Sequence, residues 1–131
     1  MKFTQIKETC FYSEDLELVK AFYHEKLDLP IISYVAEKLI FFRVGNSVLL
    51  CFNPNYSADQ DVPPPHYAKG KPHFAFEVPA KNYEQYKVDL AKNGINITYE
   101  HTWPSGRKSA YFEDYEHNVL EIVPSGLWDA L

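Results

Sequence analysis

A carboxylate inside an apolar run is the first residue whose chemistry needs an explanation. Glu121 stands in Val119-Leu120-Glu121-Ile122-Val123, where strand alternation sets it among apolar neighbours on an inward face. Withdrawn from water it needs a partner, and a metal ion, Arg107 or a buried hydrogen bond would each serve. Arg107, Ser109 and Tyr111 recur at period two. One strand face would then carry a guanidinium able to hold a carboxylate or phosphate beside a phenol able to donate to a substrate oxygen. The plainer assignment makes Tyr111 a core residue and Arg107 a solvated loop residue. His66 follows Pro63-Pro64-Pro65 on a long loop, the kind of segment that is often functional, and a lid over a cavity is one use for it. An exposed histidine is the commoner arrangement. Trp103-Pro104-Ser105-Gly106 suggests a second loop, at a cavity rim.

Other chemistries lack their residues. There is no Ser-His-Asp order, Gly-rich phosphate loop, paired-cysteine zinc motif or calcium loop. Cys10 and Cys51 lie apart in strand-like runs. They read as buried free thiols in a reducing compartment, and Cys10 has no neighbouring base to activate it. The 131 residues are 46% hydrophobic and 24% charged, with 10 Tyr, 9 Phe and 2 Trp. That composition supports a packed core and excludes collagen-like, disordered and disulfide-scaffold classes. A net charge of −5 lacks the basic footprint of a nucleic-acid or anionic-membrane partner. The first eight residues hold no apolar signal segment, and apolar runs of about five residues fall short of the ~20 a membrane helix needs. The expectation is a cytoplasmic single domain.

The elements that must position these groups follow from periodicity and punctuation. Residues 3–12 read as a strand. A helix capped by Ser13 or Glu14 follows, with Leu16, Val19, Phe22, Tyr23 and Leu27 on one face and Pro30 beyond its end. Strands are expected over 31–36, 39–44 and 47–53, the last two joined by a Gly45-Asn46 hairpin turn. Residues 54–72 are too proline-rich for a helix or a central strand. A strand over 72–78 comes next, then a helix over 80–93 with Tyr83, Tyr86 and Leu90 on one face and Asn93-Gly94 as its stop. Strands over 95–102, 108–113 and 118–123 complete the chain, and all five glycines fall at boundaries.

The order strand, helix, strand, strand, strand therefore occurs twice. Glu8-Thr9-Cys10-Phe11-Tyr12 lies over His73-Phe74-Ala75-Phe76-Glu77, which sets Glu8 against His73 and Leu50 against Glu121. The fold expected is α+β: two βαβββ repeats forming curved mixed sheets around a cleft. The first module runs over about 1–53, a linker over 54–71, the second module over about 72–124 and a tail over 125–131.

On this repeat, and on Asp15-Leu16 with Ala21-Phe22-Tyr23, His73-Phe74-Ala75-Phe76, and Tyr111-Phe112-Glu113-Asp114 through Asn118-Val119-Leu120-Glu121, the chain resembles the vicinal-oxygen-chelate superfamily. That group holds glyoxalase I, bleomycin-resistance proteins, fosfomycin-resistance enzymes and extradiol dioxygenases. Its usual Asp-Pro-Asp-Gly-Asn turn here reads Asp114-Tyr115-Glu116-His117-Asn118, so His117 bears strain if the turn keeps a positive φ. The glycine that often follows the first helix is Asp28.

The resemblance implies metal ligands at Glu8, His73 and Glu121. Leu50 takes the fourth position and cannot bind, which breaks the glyoxalase I set. One imidazole and two carboxylates suit a divalent ion (Mn, Fe, Ni, Zn or Mg) with positions left for two adjacent substrate oxygens. Tyr111 and Arg107 would position the substrate, in a pocket lined by Cys10, Tyr12, Leu50, Phe52, Ser109 and Trp103. The implied protein is a metal-dependent lyase, isomerase, transferase or dioxygenase acting on a small molecule. The alternative is a metal-free, ligand-sequestering protein of the bleomycin-resistance type. Relatives of this length imply a homodimer, with the apolar C-terminus from Leu127 onward as one candidate contact.

Overall fold

The computed structural model describes residues 1–129; Ala130 and Leu131, part of the candidate contact at the C-terminus, lie outside the described residues. The chain divides into two compact units, Met1–Gly70 and Lys71–Leu131.

In the first unit, β1 (Glu8–Tyr12), β2 (Ile31–Val35), β3 (Leu39–Val44) and β4 (Ser47–Phe52) form a four-stranded sheet in the order β1-β4-β3-β2. β1 runs parallel to β4, with Glu8 opposite Val48 and Tyr12 opposite Phe52; the other pairs are antiparallel. The crossover that parallel pairing requires begins at α1 (Leu16–Val19), whose first turn is capped by Asp15 accepting from the Leu18 amide at 3.1 Å. It continues as a π-helical stretch, Lys20–Lys26. The expected apolar stripe is largely in place: Leu16, Val19, Phe22 and Tyr23 are buried, on the side of Phe11, Ile40, Phe42, Leu49 and Cys51. Asp28 closes this helix at φ 60, the left-handed position that short polar side chains tolerate. Gly45 and Asn46 make the two-residue hairpin between β3 and β4.

Two sequence expectations fail here for stated reasons. The first strand starts at Glu8 rather than at residue 3, because its partner β4 begins at the hairpin and the pairing ends with the Val48 amide donating to the Lys7 carbonyl at 2.9 Å. Phe3 and Ile6 are left exposed. The proline-rich segment does hold one helical turn, α2 (Pro54–Ser57): Pro54 sits in the first turn, where a missing N–H costs little, and the Asn53 side chain accepts from the Asn55 amide at 3.0 Å.

The second unit repeats the order. β5 (His73–Val78), β6 (Tyr99–Thr102), β7 (Lys108–Glu113) and β8 (Val119–Pro124) are arranged β5-β8-β7-β6, with β5 parallel to β8. A 3-10 turn at Ala80–Asn82 leads into α3 (Tyr83–Lys92). Gly94, at φ 77, donates to the Ala91 carbonyl and Ile95 to that of Leu90, a Schellman closure that buries Ile95. Residues 95–98 are spent on this exit, so β6 starts at Tyr99, later than expected. One sheet face turns Leu120, Ile122, Ala110 and Phe112 into the core with Tyr83, Leu90 and Ile95. Glu100, half-buried, accepts from the Tyr83 hydroxyl at 2.8 Å and from Lys87 at 2.5 Å. Tyr86, expected on the buried face of α3, is exposed.

Candidate functional site

Alternation puts His73 on β5, Glu121 on β8 and Tyr111 on β7 on the same face of the second sheet, with Tyr111 directly opposite Glu121. His73 Nδ1 lies 2.9 Å from the Val119 carbonyl. A carbonyl only accepts, so Nδ1 carries the proton and donates, which fixes the tautomer and leaves the Nε2 lone pair outward. That Nε2 is 3.2 Å from Glu121 Oε1. With a neutral ring two acceptor atoms face each other; with a proton on Nε2 as well, the contact is an ion pair. Glu121 is 5% exposed at its side chain, and its second oxygen, Oε2, has no hydrogen-bond partner. A proton or a cation is what such a pair lacks. The Tyr111 ring stacks on His73 with centroids 5.8 Å apart and planes 24° from parallel. Its phenol is pushed up, by burial first and then by the Glu121 charge.

The same face carries a row of rings, of which the sequence reading named Tyr111 and Trp103 and missed Tyr99, His101 and Trp128. Tyr99 lies 6.1 Å from Tyr111, His101 6.1 Å from Tyr99, Trp103 4.6 Å from His101 and Trp128 4.9 Å from Trp103. The spacing of Tyr99, His101 and Trp103 by two was the available signal. Trp103 donates its indole N–H to buried Ser109 at 3.0 Å, which ties two expected pocket residues together.

Arg107 is placed otherwise. β7 begins at Lys108, so Arg107 does not share the strand face of Ser109 and Tyr111. Its Nη1 donates to the Ser125 carbonyl at 2.8 Å, and its guanidinium nests where a Cβ on Gly126 would come within 2.6 Å. It anchors the chain segment that sets Trp128 against Trp103.

In the first unit, Glu8, Cys10 and Tyr12 of β1 line one face with Val48, Leu50 and Phe52 of β4. Glu8 is exposed and Phe52 is buried; Cys10, expected to be buried like Cys51, is exposed as well, because it lies on the edge strand β1 on the face away from the helix. The Cys10 thiol is pushed up, by desolvation first, against a hydrogen bond from Tyr12 that lowers it. Tyr12 is pushed up to about 12, again by desolvation first. Its hydroxyl is 2.7 Å from His66 Nδ1, and the His66 ring packs edge-to-face on Phe52, so this loop histidine is docked on the sheet. Among the described residues, no group of three or more His, Cys, Asp or Glu is gathered as a metal cluster; His73 and Glu121 form a pair.

Residues 5–122 match the family model described as Glyoxalase/Bleomycin resistance protein/Dioxygenase superfamily. Among solved structures, the chain is similar to a lactoylglutathione lyase from Agrobacterium tumefaciens at 31% identity, covering 98% of each chain with a TM-score of 0.91. A glyoxalase family protein from Enterococcus faecalis is 25% identical over 94% of this chain and 99% of its own, with a TM-score of 0.69. The fosfomycin resistance protein FosX from Listeria monocytogenes, solved with Mn(II) and a dihydroxypropylphosphonic acid, shares the fold at 17% identity, 96% and 94% coverage and a TM-score of 0.70. No curated protein matches the chain significantly.

Proposed function

Because the chain belongs to the glyoxalase/bleomycin resistance protein/dioxygenase superfamily, we propose that it is a divalent-metal-dependent enzyme acting on a small molecule with two adjacent oxygens. The observation that carries this is the facing pair of His73 Nε2 and Glu121 Oε1, with Oε2 unpartnered beside them. The donor set fits a cation. The imidazole is oriented from behind by a carbonyl, the usual support of a metal-binding histidine, and the carboxylate is buried without a countercharge of its own. His73 and Glu121 would hold the ion. A divalent cation there would polarise the substrate's oxygens and stabilise the negative charge that develops on them.

The chain's own residues supply the rest. Tyr111, kept protonated by its raised phenol, donates a hydrogen bond to a substrate oxygen. Ser109 and Trp103 support the adjoining wall, and the rings from Tyr99 to Trp128 exclude water from the bound molecule. The likeness to a protein described as a lactoylglutathione lyase favours lyase or isomerase chemistry. A cytoplasmic homodimer belongs to the same proposal.

The test is the metal content of protein purified without a histidine tag, together with melting temperature in Mn, Fe, Ni, Zn and Mg. Wild type is expected to carry or gain one divalent ion per chain and to melt higher with it, and His73→Ala to lose both effects. A wild type that neither holds nor responds to any of these ions would overturn the proposal. The row of six rings from His73 to Trp128 favours a second reading, metal-free sequestration of a flat ligand, and that outcome would select it.

A further inference from the structure

Between the helical turn α2 and Gly70 the chain has little to hold it. From Asp61 to Gly70 every residue but His66 is exposed. Pro63, Pro64 and Pro65 bring no N–H to bond. Of the remaining amides from Gln60 to Gly70, that of His66 is the one that donates to a backbone carbonyl among the described residues. Gln60 reaches the Pro64 carbonyl at 3.3 Å, which ties the segment to itself and not to the sheet.

His66 is where the segment is fastened. Its N–H donates to the Ser57 carbonyl at 3.0 Å, its ring stands edge-to-face on Phe52 at 4.6 Å, and Nδ1 lies 2.7 Å from the Tyr12 hydroxyl. Tyr67 beside it packs edge-on against Tyr12 at 5.6 Å while staying exposed. Tyr12 and Phe52 are cross-strand partners at the ends of β1 and β4, and Phe41 of β3 packs on Phe52 at 5.3 Å. The two ends of the segment differ. Ser57 is fully buried, so the chain leaves α2 from a fixed root. Gly70 stands at φ 129 with open space where a Cβ would be, backbone that glycine adopts readily. The proline run between them is stiff. A fixed root, a stiff middle and a glycine swivel let the segment move as a body.

Contacts this few place a segment at the low end of local stability, where it opens without the elements behind it. We propose that residues 58–70 form a hinged strap, pinned by His66, that opens and closes over the Tyr12–Phe52 end of the first sheet. Closed, it covers both rings. Open, it presents Phe52 and Tyr12 to solvent, with Phe41 behind them. The pin is one ring contact and one side-chain hydrogen bond, so it is released and remade with the strands unchanged. The device lies wholly within the first unit and needs no metal.

Native-state hydrogen exchange at low urea reads the opening directly. In wild type the His66 amide is expected to exchange by a local route that hardly responds to urea, while the amides of β4 exchange only with global unfolding. Trypsin cleavage after Lys69 supplies the second readout, since slow cleavage tracks the population of the open form. His66→Ala, which loses the ring and its bond, is expected to be cut about 30-fold faster than wild type. Tyr12→Phe, which keeps the ring and loses the hydroxyl, is expected to be cut about fivefold faster. The urea midpoint of His66→Ala is expected to match that of wild type. A His66 amide that exchanges only together with β4, or cleavage of either variant at the wild-type rate, would overturn the strap. So would a fall in the urea midpoint of His66→Ala equal to its gain in cleavage, which would make His66 part of the unit's global stability.

Discussion

Glu121 is costly where it stands: a carboxylate 5% exposed, one oxygen against the His73 imidazole and the other without a hydrogen-bond partner. Replacing it with the neutral isostere tests that cost. In Glu121→Gln an amide N–H can donate to His73 Nε2, and the buried charge is gone. The variant is expected to be more stable than wild type by about 1 kcal/mol in urea unfolding of the metal-free proteins, while losing affinity for divalent ions. A fall in stability would show that the carboxylate has a protein partner. Arg107 is the opposite case, a charged side chain employed in packing. Its bond to the Ser125 carbonyl is partly exposed, so Arg107→Ala is expected to lower stability by about 1 kcal/mol. The fluorescence of Trp128 is expected to shift red as its segment loosens. Unchanged emission would mean that Leu127, buried in the same segment, holds the tail unaided.

At the scale of elements, the turn between β7 and β8 stores strain that one substitution relieves. Asp114 accepts from the amides of Glu116 and Asn118, both at 3.0 Å, and this side chain holds the turn while His117 sits at φ 66. Left-handed backbone costs a branched or bulky residue ~1–2 kcal/mol. His117→Gly is therefore expected to raise the urea midpoint, by about 0.5–1 kcal/mol after the glycine's greater freedom in the unfolded chain is counted. The resemblance implies that strained position, because the family's usual turn carries Gly where His117 stands. The sequence predicts β3 and β7 to the residue, since alternation is strong there and both ends are marked by turns. Local pattern fails where pairing decides: residues 3–7 look like strand, but β4 starts at the hairpin and its contact with this stretch ends at the Lys7 carbonyl. The π-helical stretch over Lys20–Lys26 leaves no periodic mark in a short apolar stripe. Of the site, inward-facing Glu121 is legible from its apolar neighbours. The tautomer of His73 and the docking of His66 are not, because both are set by atoms 46 and 54 residues away in sequence.

For the molecule as a whole, the network of Tyr83, Lys87 and Glu100 gives stability a pH profile. The Lys87 hydrogen bond is the main reason the Glu100 carboxyl is lowered; burial opposes it and Tyr83 adds to it. A carboxyl lowered on folding contributes stability above its unfolded value near 4, and that contribution is lost as pH falls through the lower folded value. Lys87 moves the other way. Burial alone would lower it, but its bonds to Glu100 and Glu84 leave it raised. Its contribution is present below the unfolded value near 10.4 and fades as pH climbs through the folded one. Glu100→Gln is expected to flatten both limbs of a melting-temperature profile, and a variant whose acid limb matches wild type would contradict this.

Each sheet closes by laying its first strand alongside its last. Glu8 meets Val48 and His73 meets Val119, so neither sheet is complete until its final strand exists. Hairpins between consecutive strands need only short loops and form early, whereas the parallel partner must be drawn across the whole intervening chain. The order of assembly is thereby set by connectivity: hairpin first, crossover second, the residues of β1 and β5 last. On a ribosome, Glu8 and His73 wait unpaired through most of the synthesis of their own units. Substitutions in β1 and β5 are accordingly expected to speed unfolding and leave refolding rates nearly unchanged, while those in the β3–β4 and β7–β8 hairpins slow refolding.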